Sequence, residues 1–280
     1  MLDREDPYGM GKRLRFAIAA IERLRPAAVL EIGCGTGAFL LHPLAQKFPD
    51  IHFIGIDSDE ASIAYGNEHY AAGNLVFTTD LPTSASDFDF DFVIVSEVLE
   101  HVDAPVDFLR FARGRLSARG QILLTIPNGY GPFEMASFTQ CLLVKLRLFE
   151  PMRVLKRLLL GRKSLIGDVG GAPMSLANSP HINFFDWRET GRIIRAAGLC
   201  VDVTQNRTFL CGFGLDILVV RLRLADWNAR VADGLPHAWV SDWMFLLSTV
   251  PQSKSGGEYA PGPWARLRRR WNKAAAARAG

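Results

Sequence analysis

The stretch Val29-Leu30-Glu31-Ile32-Gly33-Cys34-Gly35-Thr36-Gly37 decides how this chain folds. An apolar run carries an acid near its end, three glycines then alternate, and Ala38-Phe39-Leu40-Leu41 reads as the opening of a helix. Glycines at that spacing let a backbone turn sharply after a strand and approach a ligand with no Cβ in the way. Twenty residues past Gly37 a second apolar run, Phe53-Ile54-Gly55-Ile56, ends in Asp57. In a doubly wound sheet, an acid at that place hydrogen-bonds the two hydroxyls of a ribose. The two strand ends together point to a nucleoside-containing cofactor.

The glycine spacing narrows the choice. Dinucleotide folds use G-x-G-x-x-G; here the pattern is G-x-G-x-G, and Ala38 occupies the slot of the last dinucleotide glycine. The segment resembles the first motif of class I S-adenosylmethionine-dependent methyltransferases, and the resemblance continues to about residue 222. It implies a Rossmann-like α/β fold with a doubly wound, mostly parallel, seven-stranded sheet whose last strand is antiparallel. It also implies that Glu31, Gly33, Cys34, Gly35 and Gly37 face the methionyl part of the cofactor, with Asp57 and the adjoining Ser58 at the ribose. In Thr79-Asp80-Leu81-Pro82, the family places such an acid and its neighbour against adenine, so Asp80 and Leu81 join the set. A carboxylate suits the exocyclic amine, although an Asp ahead of Pro82 is equally at home in a plain turn.

The pattern along the chain agrees with an alternating α/β order. Strands fit 27–32, 52–57, 75–79, 91–96 and 120–126, with helices between them. Asp103 before Ala104-Pro105 reads as an N-cap with proline in the first turn, opening a helix to about Leu116. Asp186-Trp187-Arg188-Glu189 has the form of a capping box, with Gly198 as the stop. The runs 200–206 and 214–222 complete the expected sheet. Residues 1–222 then form the methyltransferase domain, with an insertion at 129–183, and 223–280 form a C-terminal extension.

After the fourth strand comes Ser96-Glu97-Val98-Leu99-Glu100-His101-Val102. Strands one and four flank the switch point of such a sheet, so this segment borders the cofactor crevice, Ser96 included. If 97–101 is helical, Glu97, Glu100 and His101 share one face. The string resembles that of the ubiquinone-biosynthesis-like small-molecule methyltransferases, and E-x-x-E-H also resembles the metal cluster of small-RNA 2′-O-methyltransferases. Three roles are open. His101, with Glu97 beside it, can serve as a general base. Glu97, Glu100, His101 and His181 can hold a divalent metal that lowers the acceptor's pKa. Or these residues merely shape the pocket floor and cap the following helix.

Composition sets the remaining bounds. Nearly half of the 280 residues are hydrophobic, enough for a large core. The four cysteines show neither metal spacing nor a disulfide framework. With no secretory h-region at the N-terminus and no long apolar run, the expectation is a cytoplasmic protein. The net charge of +3 is uneven: Arg266, Arg268, Arg269, Arg270, Lys273 and Arg278 sit together at the C-terminus without an acid. Setting those six apart leaves 26 basic residues against 29 acidic ones, a body near −3. No nucleic-acid motif accompanies the tail, so nucleic acid is not an expected partner.

Substrate choice falls to the insertion. Phe138, Leu142, Leu146 and Phe149 lie on one helical stripe, and Met152, Leu155 and Leu159 start another after Pro151. Lysines and arginines punctuate 145–163. The insertion reads as a lid over the acceptor pocket, as a peripheral membrane contact through 135–163, or as a surface for a protein partner. The glycines of 164–180 suggest a hinge. Trp227, Trp239 and the run Trp243-Met244-Phe245-Leu246-Leu247 read as one or two helices packed on the domain or on a partner, and Gln252 to Pro263 as a linker before a partly disordered basic end. The sequence therefore reads as a methyltransferase acting on a small-molecule acceptor, most simply at oxygen. N-methylation of a sugar or amine, a nucleotide-dependent oxidoreductase and a non-enzymatic cofactor-binding protein stand as alternatives.

Overall fold

A computed structural model describes residues 5–80, 89–135, 181–211, 215–249 and 261–276. In chain order the elements are α1 (Met10–Leu24), β1 (Ala28–Ile32), α2 (Leu41–Lys47), β2 (His52–Ile56), α3 (Glu60–His69), β3 (Leu75–Thr78), β4 (Phe90–Ser96), α4 (Pro105–Arg113) and β5 (Leu116–Pro127). There follow α5 (Trp187–Ala196), β6 (Leu199–Asn206), α6 (Leu215–Arg221), α7 (Ala225–Gly234), β7 (Asp242–Thr249) and α8 (Pro263–Ala276). One seven-stranded sheet runs β3-β2-β1-β4-β5-β7-β6. Strands β1 to β5 pair in parallel, and β7 is antiparallel to both β5 and β6. The strand order reverses between β1 and β4, which places the crevice at their carboxyl ends.

Both faces of the sheet are covered, and alternate residues feed opposite layers. Val29, Phe92, Ile94, Leu123, Met244 and Leu246 pack with α1 and α2 on one side. Leu30, Val93, Val95, Leu124, Trp243, Phe245 and Leu247 pack with α4 and α5 on the other. Strands buried on both faces read as continuous apolar runs. That is the physical reason for two corrections. The run at 214–222 is not the last strand; Leu215–Arg221 is the helix α6. The last strand is Asp242–Thr249, and Trp243 to Leu247, read from sequence as helix, are its buried centre. The sheet thus closes well beyond residue 222.

Smaller departures have local causes. The helix expected at Ala38 begins at Leu41, so that Pro43, which lacks an N–H, lies in its first turn. Asp103 does not cap α4; the cap is Ala104, with no side-chain bond. α4 ends at Arg113, and β5 starts early at Leu116, with a register shift against Phe90 and Phe92. The capping box at Asp186 forms as expected, its carboxylate accepting from the Glu189 N–H at 2.7 Å. The stripes at 138–159 and the glycine-rich 164–180 lie outside the described residues. No helix among the described residues is long and apolar enough to cross a membrane.

Candidate active site

The loop after β1 is held by both flanking strands. The N–H groups of Gly33 and Cys34 donate to the carbonyl of Ile56, at 2.8 and 3.1 Å. Gly33, Gly35 and Gly37 have φ of +81°, +53° and +72°, a region that costs an L side chain about 1–2 kcal/mol. A Cβ on Gly37 would lie 2.2 Å from the buried Phe77 ring, whereas a Cβ on Gly35 would meet nothing within 4 Å among the described residues. The two glycines thus serve different ends. Gly37 lets the loop pack on the core, and Gly35 keeps open the space above it. Gly37→Ala should destabilise the fold by about 2–4 kcal/mol, from strain plus overpacking, in urea titrations. Gly35→Ala should cost only about 1 kcal/mol in the same titrations, yet weaken S-adenosylhomocysteine binding in calorimetry at least 10-fold. Equal affinity losses matched to equal stability losses would refute this division.

Asp57 braces the loop from β2. Its Oδ2 accepts from the Gly35 N–H at 2.7 Å and its Oδ1 from the Asp59 N–H at 2.9 Å. Ser58 is exposed beside it, and Asp80, exposed past the end of β3, has its carbonyl bonded by the Thr78 hydroxyl. Leu81 lies outside the described residues. The Cys34 thiol is pushed far up by burial and by the nearby Glu31 and Asp57, so it is no nucleophile.

Beneath the loop lie two buried polar atoms of opposite character. Glu31 is almost fully buried, and its Oε2 has no hydrogen-bond partner among the described residues. Burial, with a contribution from Asp57 and against the pull of Arg13, raises its carboxyl to about 8. Arg13, reaching in from α1, donates from Nη1 to Ser96 Oγ at 2.8 Å, while its Nε is likewise unpartnered. Ser96 Oγ is also 2.9 Å from Thr125 Oγ1, so this hydroxyl is engaged within the wall of the crevice. No sequence signal had marked Arg13.

The turn after β4 departs from expectation. Residues 97–101 are not helical; Glu97 itself has φ +56°, which swings the chain away. Glu97 is therefore separated from Glu100 and His101. Its carboxylate accepts from both terminal nitrogens of Arg207, each at 3.2 Å, and from the Thr125 hydroxyl at 2.7 Å. Burial opposes ionisation, but Arg207, Arg13 and these bonds hold Glu97 below the usual carboxylate range. A carboxylate so tied is a poor proton acceptor, and it lies outside the cluster of ligating groups.

That cluster consists of Glu100, His101 and His181, each with one ligand atom within 4.8 Å of the others. The His101 and His181 rings meet edge-on, with centroids 4.8 Å apart. The juxtaposition is built by backbone bonds. The N–H groups of Ile182 and Asn183 donate to the Glu100 carbonyl, and the Asn183 amide donates to the carbonyls of Leu99 and Val102, at 2.9 and 2.6 Å. Glu134 meets His181 Nδ1 at 2.5 Å. Glu100 Oε2 is buried without a hydrogen-bond partner among the described residues, and burial together with the charge of Glu97 raises the carboxyl to about 8. His181 is raised to about 9: burial pulls it down, but the Glu134 bond and the surrounding carboxylates prevail. The turn also touches the glycine loop, since a Cβ on Gly33 would strike Val98 at 2.4 Å.

A family model described as a methyltransferase domain matches residues 3–203 of the chain. The chain belongs to the S-adenosylmethionine-dependent methyltransferase family. A ubiquinone biosynthesis O-methyltransferase of Roseobacter denitrificans is 32% identical to it over 124 residues, 42% of this chain and 49% of that protein. The protein of the same name in Pseudomonas aeruginosa is 30% identical over 105 residues, 36% of this chain and 44% of the other. The chain thus spans about half the length of the curated relatives it matches. The solved structure of PKMT2 from Rickettsia typhi superposes with a TM-score of 0.51 at 15% identity, over 81% of this chain and 49% of that one. That likeness is one of fold.

Proposed function

We propose that this methyltransferase methylates a hydroxyl of a small-molecule acceptor, which enters over the Glu100, His101 and His181 end of the crevice. The observation that carries the reading is this cluster, with Glu100 buried and His181 bonded to Glu134, next to the turn whose Val98 abuts Gly33 of the glycine loop. The names of the two aligned relatives, both O-methyltransferases, support oxygen over nitrogen.

The residues present fit the cofactor. Its amino-acid end carries one charge of each sign: Arg13 Nε, without a partner among the described residues, can meet the carboxylate, and Glu31, whose raised carboxyl would give up its proton beside an ammonium, can meet the amino group. Asp57 retains lone pairs for the ribose hydroxyls. Bound S-adenosylmethionine supplies an activated methyl group on a sulfonium, so the chain need only align the acceptor and manage its proton. His101 is placed to take that proton. The same three side chains also fit a divalent metal. One carboxylate and two imidazoles are a familiar donor set, and Glu134 on Nδ1 leaves His181 Nε2 as the ligating atom. Such an ion would lower the pKa of the acceptor hydroxyl.

Two measurements test these assignments. Calorimetry with Mn²⁺ should give binding that falls at least 10-fold in Glu100→Gln and in His181→Ala, while Glu97→Gln retains it. No binding to the parent protein would leave His101 as base without a metal. For the acceptor, a panel of hydroxylated aromatic compounds and size-matched amines should release S-adenosylhomocysteine with the hydroxyl series. Turnover confined to the amines would overturn O-methylation.

A further inference from the structure

The basic C-terminal segment, read from sequence as a separate tail, is in part the helix α8, and this helix docks beside the His181 end of the crevice. Arg268 is buried there. Its Nη1 donates to the Gly129 carbonyl at 2.8 Å, and its Nη2 lies 3.5 Å from Glu134 Oε2. Its guanidinium stacks on the Phe184 ring at 3.4 Å. One turn along, the Asn272 amide donates to the His181 carbonyl at 2.7 Å. Arg269 and Lys273 both pair with Asp103, just past the 97–102 turn. The helix therefore bonds the partner of the His181 ring, the His181 backbone and the end of the turn that carries His101.

We propose that Arg268 is a positioning residue of this active site, holding Glu134 against His181 so that the imidazole keeps its orientation toward His101. A guanidinium is needed for this task. It is planar, so it can lie flat on Phe184 while presenting separate nitrogens to a carbonyl and a carboxylate. A lysine ammonium offers charge to Glu134 but not the stack or the fork. Glu134 is itself almost fully buried, so losing Arg268 leaves its carboxylate under-satisfied and free to turn away from Nδ1. Asn272 secures the His181 backbone, which makes the helix a second support for a segment already tied to the 97–102 turn through Asn183. Naming this an active-site role rests on the proposed placement of the acceptor at His101 and His181; the geometry of the support does not.

The test uses the full chain labelled with ¹⁵N-histidine. The His181 Nδ1–Glu134 bond should give a downfield, exchange-protected ring proton, assigned by its absence in His181→Asn. Arg268→Ala should lose that resonance, Arg268→Lys should restore it in part, and Arg266→Ala, an exposed change on the same helix, should keep it. Urea titrations of each variant separate this from unfolding. If Arg268→Ala does not fold, a weakened resonance in a folded Arg268→Lys, against the full signal of Arg266→Ala, decides the matter. A resonance unchanged in every folded Arg268 variant overturns the proposal. Because the signal needs neither acceptor nor metal, it stands or falls apart from the function proposed above. The Mn²⁺ titration repeated on Arg268→Ala then links the two, with at least a 10-fold loss expected if the ring is a ligand.

Discussion

Arg207→Ala should destabilise the protein by about 3–5 kcal/mol, because it leaves two carboxylates without their shared cation. Arg207 follows β6, and its side chain is almost wholly buried. Its Nε meets Asp242 Oδ1 at 2.5 Å, and both terminal nitrogens reach Glu97 at 3.2 Å. One guanidinium thus joins the end of β6, the first residue of β7 and the turn after β4. Thr208 donates to the other oxygen of Asp242 at 3.1 Å but brings no charge. Lysine at 207 keeps the charge without the fork and should recover only part of the loss.

The sign of the pH dependence follows from the two carboxyls. Burial raises Asp242 to about 6 despite Arg207, so the folded state holds its proton longer than the unfolded chain does. Its contribution to stability therefore falls as pH rises from about 4 to about 6. Glu97 is lowered, and it contributes stability above the ordinary glutamate range that is lost on acidification. Without Arg207 both groups follow the Asp242 pattern with higher folded-state values. The penalty should accordingly be larger at pH 8 than at pH 5 in urea titrations followed by circular dichroism. A penalty that grew on acidification would refute this account of the buried network.

The parallel half of the sheet was legible because each strand ended in a chemical signal: glycines after β1, Asp57 after β2, Ser96 and Glu97 after β4. The antiparallel end had no such punctuation. Leu215–Arg221 and Trp243–Leu247 are both short apolar runs, and periodicity does not separate a strand buried on two faces from a helix. Glu97, Glu100 and His101 looked like one helical face by spacing alone. The positive φ of Glu97 broke that face, and no composition rule announces a left-handed glutamate. Arg13, Glu134, Arg207 and Arg268 were illegible for a different reason. Each acts across a long sequence separation, 83 residues in the case of Arg13 and Ser96, and only the packed chain brings the partners together. The His181 segment fell between these cases. His181 was marked as a candidate ligand and the capping box at Asp186 placed α5 just after it, while the Asn183 amide that ties the segment to the turn carried no signal.

Asp57→Ala should weaken S-adenosylhomocysteine binding by roughly 30- to 1,000-fold, about 2–4 kcal/mol. Two losses combine. The ribose hydroxyls lose a charged acceptor, and the loop loses the carboxylate that holds the Gly35 N–H at 2.7 Å and the Asp59 N–H at 2.9 Å. The open space over Gly35 depends on that brace, so the variant meets the ligand with a looser cradle. The two contributions separate in a double-mutant cycle. Wild-type protein should bind 5′-methylthioadenosine more tightly than its 2′-deoxy analogue, and Asp57→Ala should bind the two alike. If the variant keeps the wild-type preference while its overall affinity drops, Asp57 acts through the loop alone and the ribose assignment falls. If neither affinity changes, both roles fall together. The expected pattern is a drop in affinity accompanied by loss of the preference, because a carboxylate with both oxygens anchored by backbone N–H groups still offers lone pairs to a diol.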